Sequence, residues 1–259
     1  MMKHIESFAD FSDWPVLGLH DEYSAGFRDA PHTHTRAQLL YACSGVMSVM
    51  VEGTSFVVPP QRAVWIPSGA QHCISCRGPV SLRTLYFDED ATSLAYDHCY
   101  VIEVSELLKA LIIEIARIES NKKFTEREHN IVQLMINELK NMPSAPYSAP
   151  MPQDHRLLRV CHTIMEQPSE TDSLDELAKV AGMGRRTFSR LFKQETGMGV
   201  AAWRHQVRLM EAISQLATGK PVTSVAFDVG YESASAFTAM FTRSFGVPPS
   251  QYFDRPVMA

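Results

Sequence analysis

The chain has 259 residues, enough for two domains of ordinary size, and its 45% hydrophobic and 20% charged content is that of a globular protein. No apolar run nears the roughly 20 residues that cross a bilayer, and the opening MMKHIESFADFSDWP has acids where a secretory leader needs an apolar core, so the expected location is the cytoplasm with no membrane partner. The net charge of −5 excludes a uniformly basic nucleic-acid coat, yet it is unevenly spread: 12 Lys/Arg face 18 Asp/Glu before Asp154, and 12 face 11 from there on.

Residues 1 to about 30 are weakly patterned. From Gln38 short β-like runs follow one another: QLLYAC, VMSVMV, SFVV, VWI (64–66), HCISC (72–76) and SLRTLYF (81–87). Ser44-Gly45, Glu52-Gly53, Pro67-Ser68-Gly69 and Gly78-Pro79 separate them as turns. Many short strands at this spacing predict an antiparallel β-barrel or sandwich. The five cysteines are scattered and odd in number, which fits reduced thiols. Cys73 and Cys76 stand three apart, so on a strand they point to opposite faces and do not form a metal or redox pair.

After about residue 100 the period becomes helical. Val101, Val104, Leu108, Leu111, Ile115 and Ile118 alternate steps of three and four, the pattern of a coiled-coil seam. Thr125 to Glu128 form a capping box that opens a second helix to about Leu139. Two uses fit these helices: a cover over the barrel, or a dimer seam. We take 1–95 as the barrel and 96–140 as a helical dimerisation and transmission segment. The four prolines of NMPSAPYSAPMPQ (141–153) predict an extended linker, with a second domain at 154–259.

Asp154 can cap the next helix, and Pro168 stops it. Leu174 to Gly246 then holds one pattern twice, LDELAKVAGMGRRTFSRLFKQETG (174–197) and VTSVAFDVGYESASAFTAMFTRSFG (222–246). Ala178/Ala226 and Gly182/Gly230 are offset by 48, whereas Phe188/Phe237, Phe192/Phe241 and Gly197/Gly246 are offset by 49. One residue is therefore inserted just after the turn glycine of the second copy. Each copy reads as helix, tight turn, helix. Ser173 to Glu176 form the capping box of the first, and Ala178 and Gly182 are read as small because its helices approach closely.

In Arg185–Glu195, Phe188, Leu191 and Phe192 take one face. Arg186, Arg190 and Lys193 take the other, flanked by Arg185 and Ser189. A basic stripe opposite an aromatic face suits a helix laid in the major groove, where arginine pairs with guanine or binds phosphate. Trp203, Val207, Met210, Ile213 and Leu216 make 199–217 an amphipathic rod of roughly 28 Å. That is near the roughly 34 Å between successive major grooves on one face of DNA.

These blocks, from about Asp154 to Phe253, resemble the DNA-binding domain of AraC/XylS-type transcription regulators, and VTSVAFDVGYESASAFTAMFTRSFGVPPSQY (222–252) is the most diagnostic. The resemblance implies double-stranded operator DNA as partner, with RNA polymerase if the protein activates. It implies base contacts from Arg186, Ser189, Arg190, Ser235, Thr238 and Ala239. Gly184 departs from the family's serine and removes an N-cap hydrogen bond. Ala234 and Ala239 leave the second recognition helix with Ser235, Thr238, Thr242 and Arg243 only, so the first copy is expected to carry most direct readout.

In the first domain His32, His34 and Gln38 share strand parity, and Pro67 to His72 reads PxGxxH. HxHxxxQ followed by PxGxxH resembles the two signatures of cupin barrels, which implies a metal site at His32, His34, Gln38 and His72. Gln38 replaces the family's acid, but three imidazoles suit Zn²⁺, Ni²⁺, Fe²⁺ or Cu²⁺. Tyr41, Trp65, Arg83 and Tyr86 are candidates for lining an effector pocket. The leading reading is a homodimeric regulator, not an enzyme, governed by a small molecule or metal in the barrel. The alternative is a metal-dependent cupin oxygenase or isomerase with an appended helical domain.

Overall fold

The computed structural model describes residues 14–60, 62–76, 78–92, 98–118, 124–142, 144–145, 148–170 and 172–252. The stretch 1–13, which bears on a leader, lies outside them, as do linker residues 143, 146 and 147 and the last seven residues. The chain divides near residue 146 into two compact units. None of the described helices is long and apolar enough to cross a membrane.

The first unit is built on β1 (Val16–Tyr23), β2 (Ala37–Ser44), β3 (Met47–Val51), β4 (Thr54–Val58), β5 (Arg62–Ile66), β6 (His72–Cys76) and β7 (Val80–Phe87). A short helix α1 (Glu89–Thr92), β8 (Tyr100–Glu103), α2 (Glu106–Ile115), α3 (Glu126–Asn141) and β9 (Ser144–Ala145) follow. One sheet has the order β1-β7-β2-β5-β8-β9, and a second carries β4-β3-β6. The expected strand content is present, but as two antiparallel sheets not closed into a barrel.

β2 lies between β7 and β5, which take both its edges, and Ala37 to Ala42 are all buried, so side chains on both its faces are covered. The register sets opposite parities on the two sides. Leu39, Tyr41, Ala63, Trp65, Leu85 and Phe87 form one core with Leu108, Leu111, Ile112 and Ile115 of α2 and Val132, Met135, Ile136 and Leu139 of α3. This packing takes up most of the expected helical stripe. Val101 and Val104 are not helical: Val101 lies in β8, and Ser105 caps α2 by accepting from the Leu108 amide at 3.0 Å. Leu108, Leu111 and Ile115 are spent inside the protomer. α2 and α3 thus pack as a cover on the sheet. β1 had no place in the expected series, and Val16 on it belongs to the same core.

The second unit holds β10 (Ser148–Pro150), α4 (His155–Glu166), α5 (Leu174–Val180), α6 (Arg185–Thr196), α7 (Val200–Ala217), α8 (Val222–Asp228), α9 (Ala234–Phe245) and a 3₁₀ turn at Pro249–Gln251. The capping boxes at Thr125 and Ser173 both form, and Asp154 caps α4. The two copies have separate aromatic cores: Phe188, Phe192 and Trp203 in one, and Phe237, Phe241 and Tyr252 in the other.

Candidate DNA-binding surface and histidine centre

α5–α6 and α8–α9 are two helix-turn-helix units with matching turn hydrogen bonds. The Met183 amide donates to the Ala178 carbonyl and the Tyr231 amide to the Ala226 carbonyl, both at 2.9 Å. Gly182 and Gly230 have φ of +64° and +82°, the left-handed region in which a side chain is strained. A Cβ on Gly182 would meet nothing within 4 Å, so this glycine answers the backbone and not the close helix approach expected for it. A Cβ on Gly230 would lie 2.8 Å from the Ser169 carbonyl and 2.7 Å from the Arg208 guanidinium. That guanidinium is itself held by the Pro168 and Glu170 carbonyls. The helix after each turn begins two residues beyond Gly182 at cap Gly184, and three beyond Gly230 at cap Ser233. The extra residue of the second copy therefore sits in its turn.

On α6, Phe188 and Phe192 are buried while Arg185, Arg186, Arg190 and Lys193 are exposed and Ser189 is half-buried. Arg185 pairs with Asp175 at 3.2 Å, and Arg190 reaches Gln194 at 3.4 Å. On α9, Ser235, Ala239 and Arg243 are exposed and Thr238 and Thr242 half-buried. Gly184 makes no side-chain cap bond, whereas Ser233 accepts from the Ala236 amide at 3.1 Å. At its far end α6 is tied to the chain before α4, where the Glu195 carboxylate accepts the Gln153 and Asp154 amides, each at 2.9 Å. The Trp203 indole donates to the Pro150 carbonyl at 2.7 Å. Sequence reasoning missed this strap, because nothing in the spacing joins residues some 40 positions apart.

In the first unit the segment before β2 runs antiparallel along β6. His32 and His72 exchange backbone hydrogen bonds, both at 3.0 Å, Asp29 N–H donates to the Ile74 carbonyl and Gly26 N–H to the Cys76 carbonyl. This pairing, and not a shared strand as expected, brings the histidines together. Only Gln38 of that trio lies in β2.

One ring nitrogen from each of His32, His34 and His72 lies within 4.8 Å of the other two. In all three the Nδ1 atom faces a backbone carbonyl two residues away: Ala30 at 3.1 Å, Arg36 at 2.5 Å and Ala70 at 2.9 Å. A carbonyl only accepts, so each Nδ1 carries the proton, and a neutral ring then keeps its lone pair on Nε2. Burial favours the neutral form of two of these rings: it lowers the pKa of His34 and pulls His72 down to about 4. His72 is 1% exposed, and its Nε2 has no hydrogen-bond partner among the described residues.

The Gln38 Oε1 lies 3.1 Å from the His34 Nε2, while its Nε2 donates to the Tyr86 hydroxyl. Two acceptors thus face each other at His34, an arrangement that a cation between them satisfies. The donor set fits a transition metal and lacks the oxygen cage of Mg²⁺ or Ca²⁺.

The expected effector quartet does not line one pocket. Tyr41 and Trp65 are buried on the helix side of the large sheet, and Arg83 shares the Tyr41 parity, paired with Glu22 at 3.8 Å. Tyr86 alone faces the histidines, its ring 5.2 Å from that of His34. Cys76 is buried and Cys73 half-buried on the alternate face of β6.

Residues 15–139 match the family described as an AraC-like ligand binding domain, and residues 177–255 match that of a helix-turn-helix domain. The chain belongs to the AraC-type transcription regulators: a ligand-binding domain precedes a DNA-binding one. It is similar to the HTH-type transcriptional regulator NimR of Escherichia coli (strain K12), 29% identical over 86% of this chain and 82% of that protein. It is also similar to the HTH-type transcriptional regulator RipA of Corynebacterium glutamicum, 27% identical over 83% of this chain and 61% of that one. Among solved structures, unsaturated fatty acid bound ToxT from Vibrio cholerae aligns over 92% of this chain and 94% of its own, with 12% identity and a TM-score of 0.38.

Proposed function

We propose that this regulator binds operator DNA mainly through α6, and that a divalent transition metal held by His32, His34, His72 and Gln38 controls it. Arg186, Ser189 and Arg190 read bases, while Arg185 and Lys193 hold the backbone. Ser235, Thr238 and Arg243 of α9 position the second unit. The ion is Zn²⁺, Ni²⁺, Cu²⁺ or Fe²⁺. The protein acts in the cytoplasm as a homodimer, meets RNA polymerase if it activates, and is not an enzyme. The observation that carries the sensing half of this reading is the histidine arrangement: three Nδ1–H groups bonded to carbonyls, and a buried His72 Nε2 with no partner among the described residues. Outer hydrogen bonds of this kind fix the tautomer of metal-binding histidines.

The test uses untagged full-length protein and the DNA upstream of its own gene. Binding is expected to change on adding Zn²⁺ or Ni²⁺ and to revert with chelator, and His72→Ala should be blind to both. Binding-site selection with Arg186→Ala and Arg190→Ala should relax base preference, each costing roughly 1–3 kcal/mol. An unchanged motif defeats the assignment of α6, and a metal-indifferent wild type defeats the sensing half. A second reading, an organic effector between the sheets, is favoured by the Tyr23 hydroxyl, which is buried without a partner among the described residues. It predicts a response lost in Tyr23→Phe and kept in chelator.

A further inference from the structure

With an amide at position 38, none of the four groups around the histidine centre brings negative charge. Three neutral imidazoles and an amide leave both charges of a divalent ion uncompensated in a half-buried site, which weakens its hold. A carboxylate stands just behind them. The Asp29 side chain is 8% exposed and its Oδ2 lies 3.8 Å from the His32 Nδ1. Its Oδ1 accepts the Ile74 amide at 2.5 Å, and its own amide donates to the Ile74 carbonyl at 3.1 Å. Ile74 is two residues along β6 from His72. Asp29 therefore fastens the segment bearing His32 and His34 to the strand bearing His72, and it presents an oxygen at the protonated edge of the His32 ring.

We propose that Asp29 is the acid of this centre, acting from outside the coordination sphere. It positions His32, makes its Nε2 a stronger donor and offsets the charge of the ion. The inference rests on the metal reading above and adds one residue to it. The His32 Nδ1–H is bonded to the Ala30 carbonyl, so Asp29 acts on the ring through its charge at 3.8 Å. Losing a hydrogen-bonded outer partner typically weakens metal binding about 10–100-fold, and a partner at this distance belongs at the low end, about tenfold.

The test is Asp29→Asn in the full chain, which keeps the size of the side chain and an oxygen for the Ile74 amide while removing the charge. Zn²⁺ affinity is measured by competition with a chromophoric chelator, and melting is followed in chelator. Asp29→Asn should bind Zn²⁺ about tenfold more weakly and melt like the wild type when metal-free. If it melts lower, the His32→Ala background decides. There the Asp29→Asn loss should shrink, because Asp29 works through His32, whereas a merely structural role gives the same loss in both backgrounds. Wild-type affinity in Asp29→Asn, or an undiminished loss in the His32→Ala background, overturns the role of Asp29 and leaves the metal reading standing. A wild type that takes up no stoichiometric Zn²⁺, Ni²⁺, Cu²⁺ or Fe²⁺ overturns the metal reading itself and this role with it.

Discussion

The Gln38 amide and the Tyr86 phenol form a buried pair in which Nε2 donates to the hydroxyl oxygen at 3.1 Å. That bond aims Oε1 at the histidines. Turned end for end, the amide would instead donate to His34 and accept from the Tyr86 hydroxyl, and Oε1 would point away from the histidines. Tyr86→Phe removes the partner that holds the metal-ready orientation. It should weaken Zn²⁺ binding about tenfold without altering the fold, and chelator competition beside circular dichroism checks this.

Acid should destabilise the metal-free first unit in a defined window. Burial lowers His72 from the ordinary 6.5 to about 4, so the folded state resists a proton that the unfolded chain accepts. The contribution is whole above pH 6.5 and is lost as pH falls toward 4, by about 3 kcal/mol at one unit per ~1.4 kcal/mol. Denaturant melts in chelator at pH 7, 5.5 and 4 should show the slope, and His72→Gln should flatten it.

The two turn glycines should respond unequally to alanine. Gly182→Ala meets only the strain of a positive φ and should cost about 1–2 kcal/mol. Gly230→Ala adds a collision with the Ser169 carbonyl, which is backbone and yields little, so its loss in a thermal melt should be distinctly larger. Gly184→Ser should stabilise by a few tenths of a kcal/mol by restoring the missing cap.

Glu195→Ala leaves the Gln153 and Asp154 amides without their carboxylate. Hydrogen bonds to charged groups contribute roughly 1.5–3 kcal/mol; partial exposure here allows water to replace part of that, so a loss of about 1 kcal/mol is expected. Hydrogen exchange at the Gln153 and Asp154 amides should accelerate in the variant more than elsewhere in the second unit.

The sequence made the second unit legible almost throughout, because a repeat tests itself: the same turn glycine, aromatic pair and terminal glycine recur, and the change of offset located the inserted residue. Strands β2 to β7 were legible from their turn pairs. β1 was not, since VLGLHDEY mixes Gly, His, Asp and Glu on a strand only partly buried. β8 was read as helix because Val101 and Val104 continue the spacing of Leu108 by coincidence. The histidines could be found from spacing, whereas Asp29 could not. The role proposed for it rests on pairing with Ile74, 45 positions away, and pairing register leaves no mark in local sequence. The Tyr41, Trp65, Arg83 and Tyr86 grouping failed for a related reason: the parity of 41 and 86 can be compared only once the register of β2 with β7 is known.

The segment from Gly26 to His34 has one more consequence. β6 is the last strand of its sheet, and an uncovered last strand offers its amides and carbonyls to any other chain. By bonding to Cys76, Ile74 and His72 in turn, this segment blocks that edge. A substitution that lifts it would therefore do more than scatter three imidazoles: it would open a buried, β-prone strand to pairing with a second molecule, and the first symptom would be aggregation.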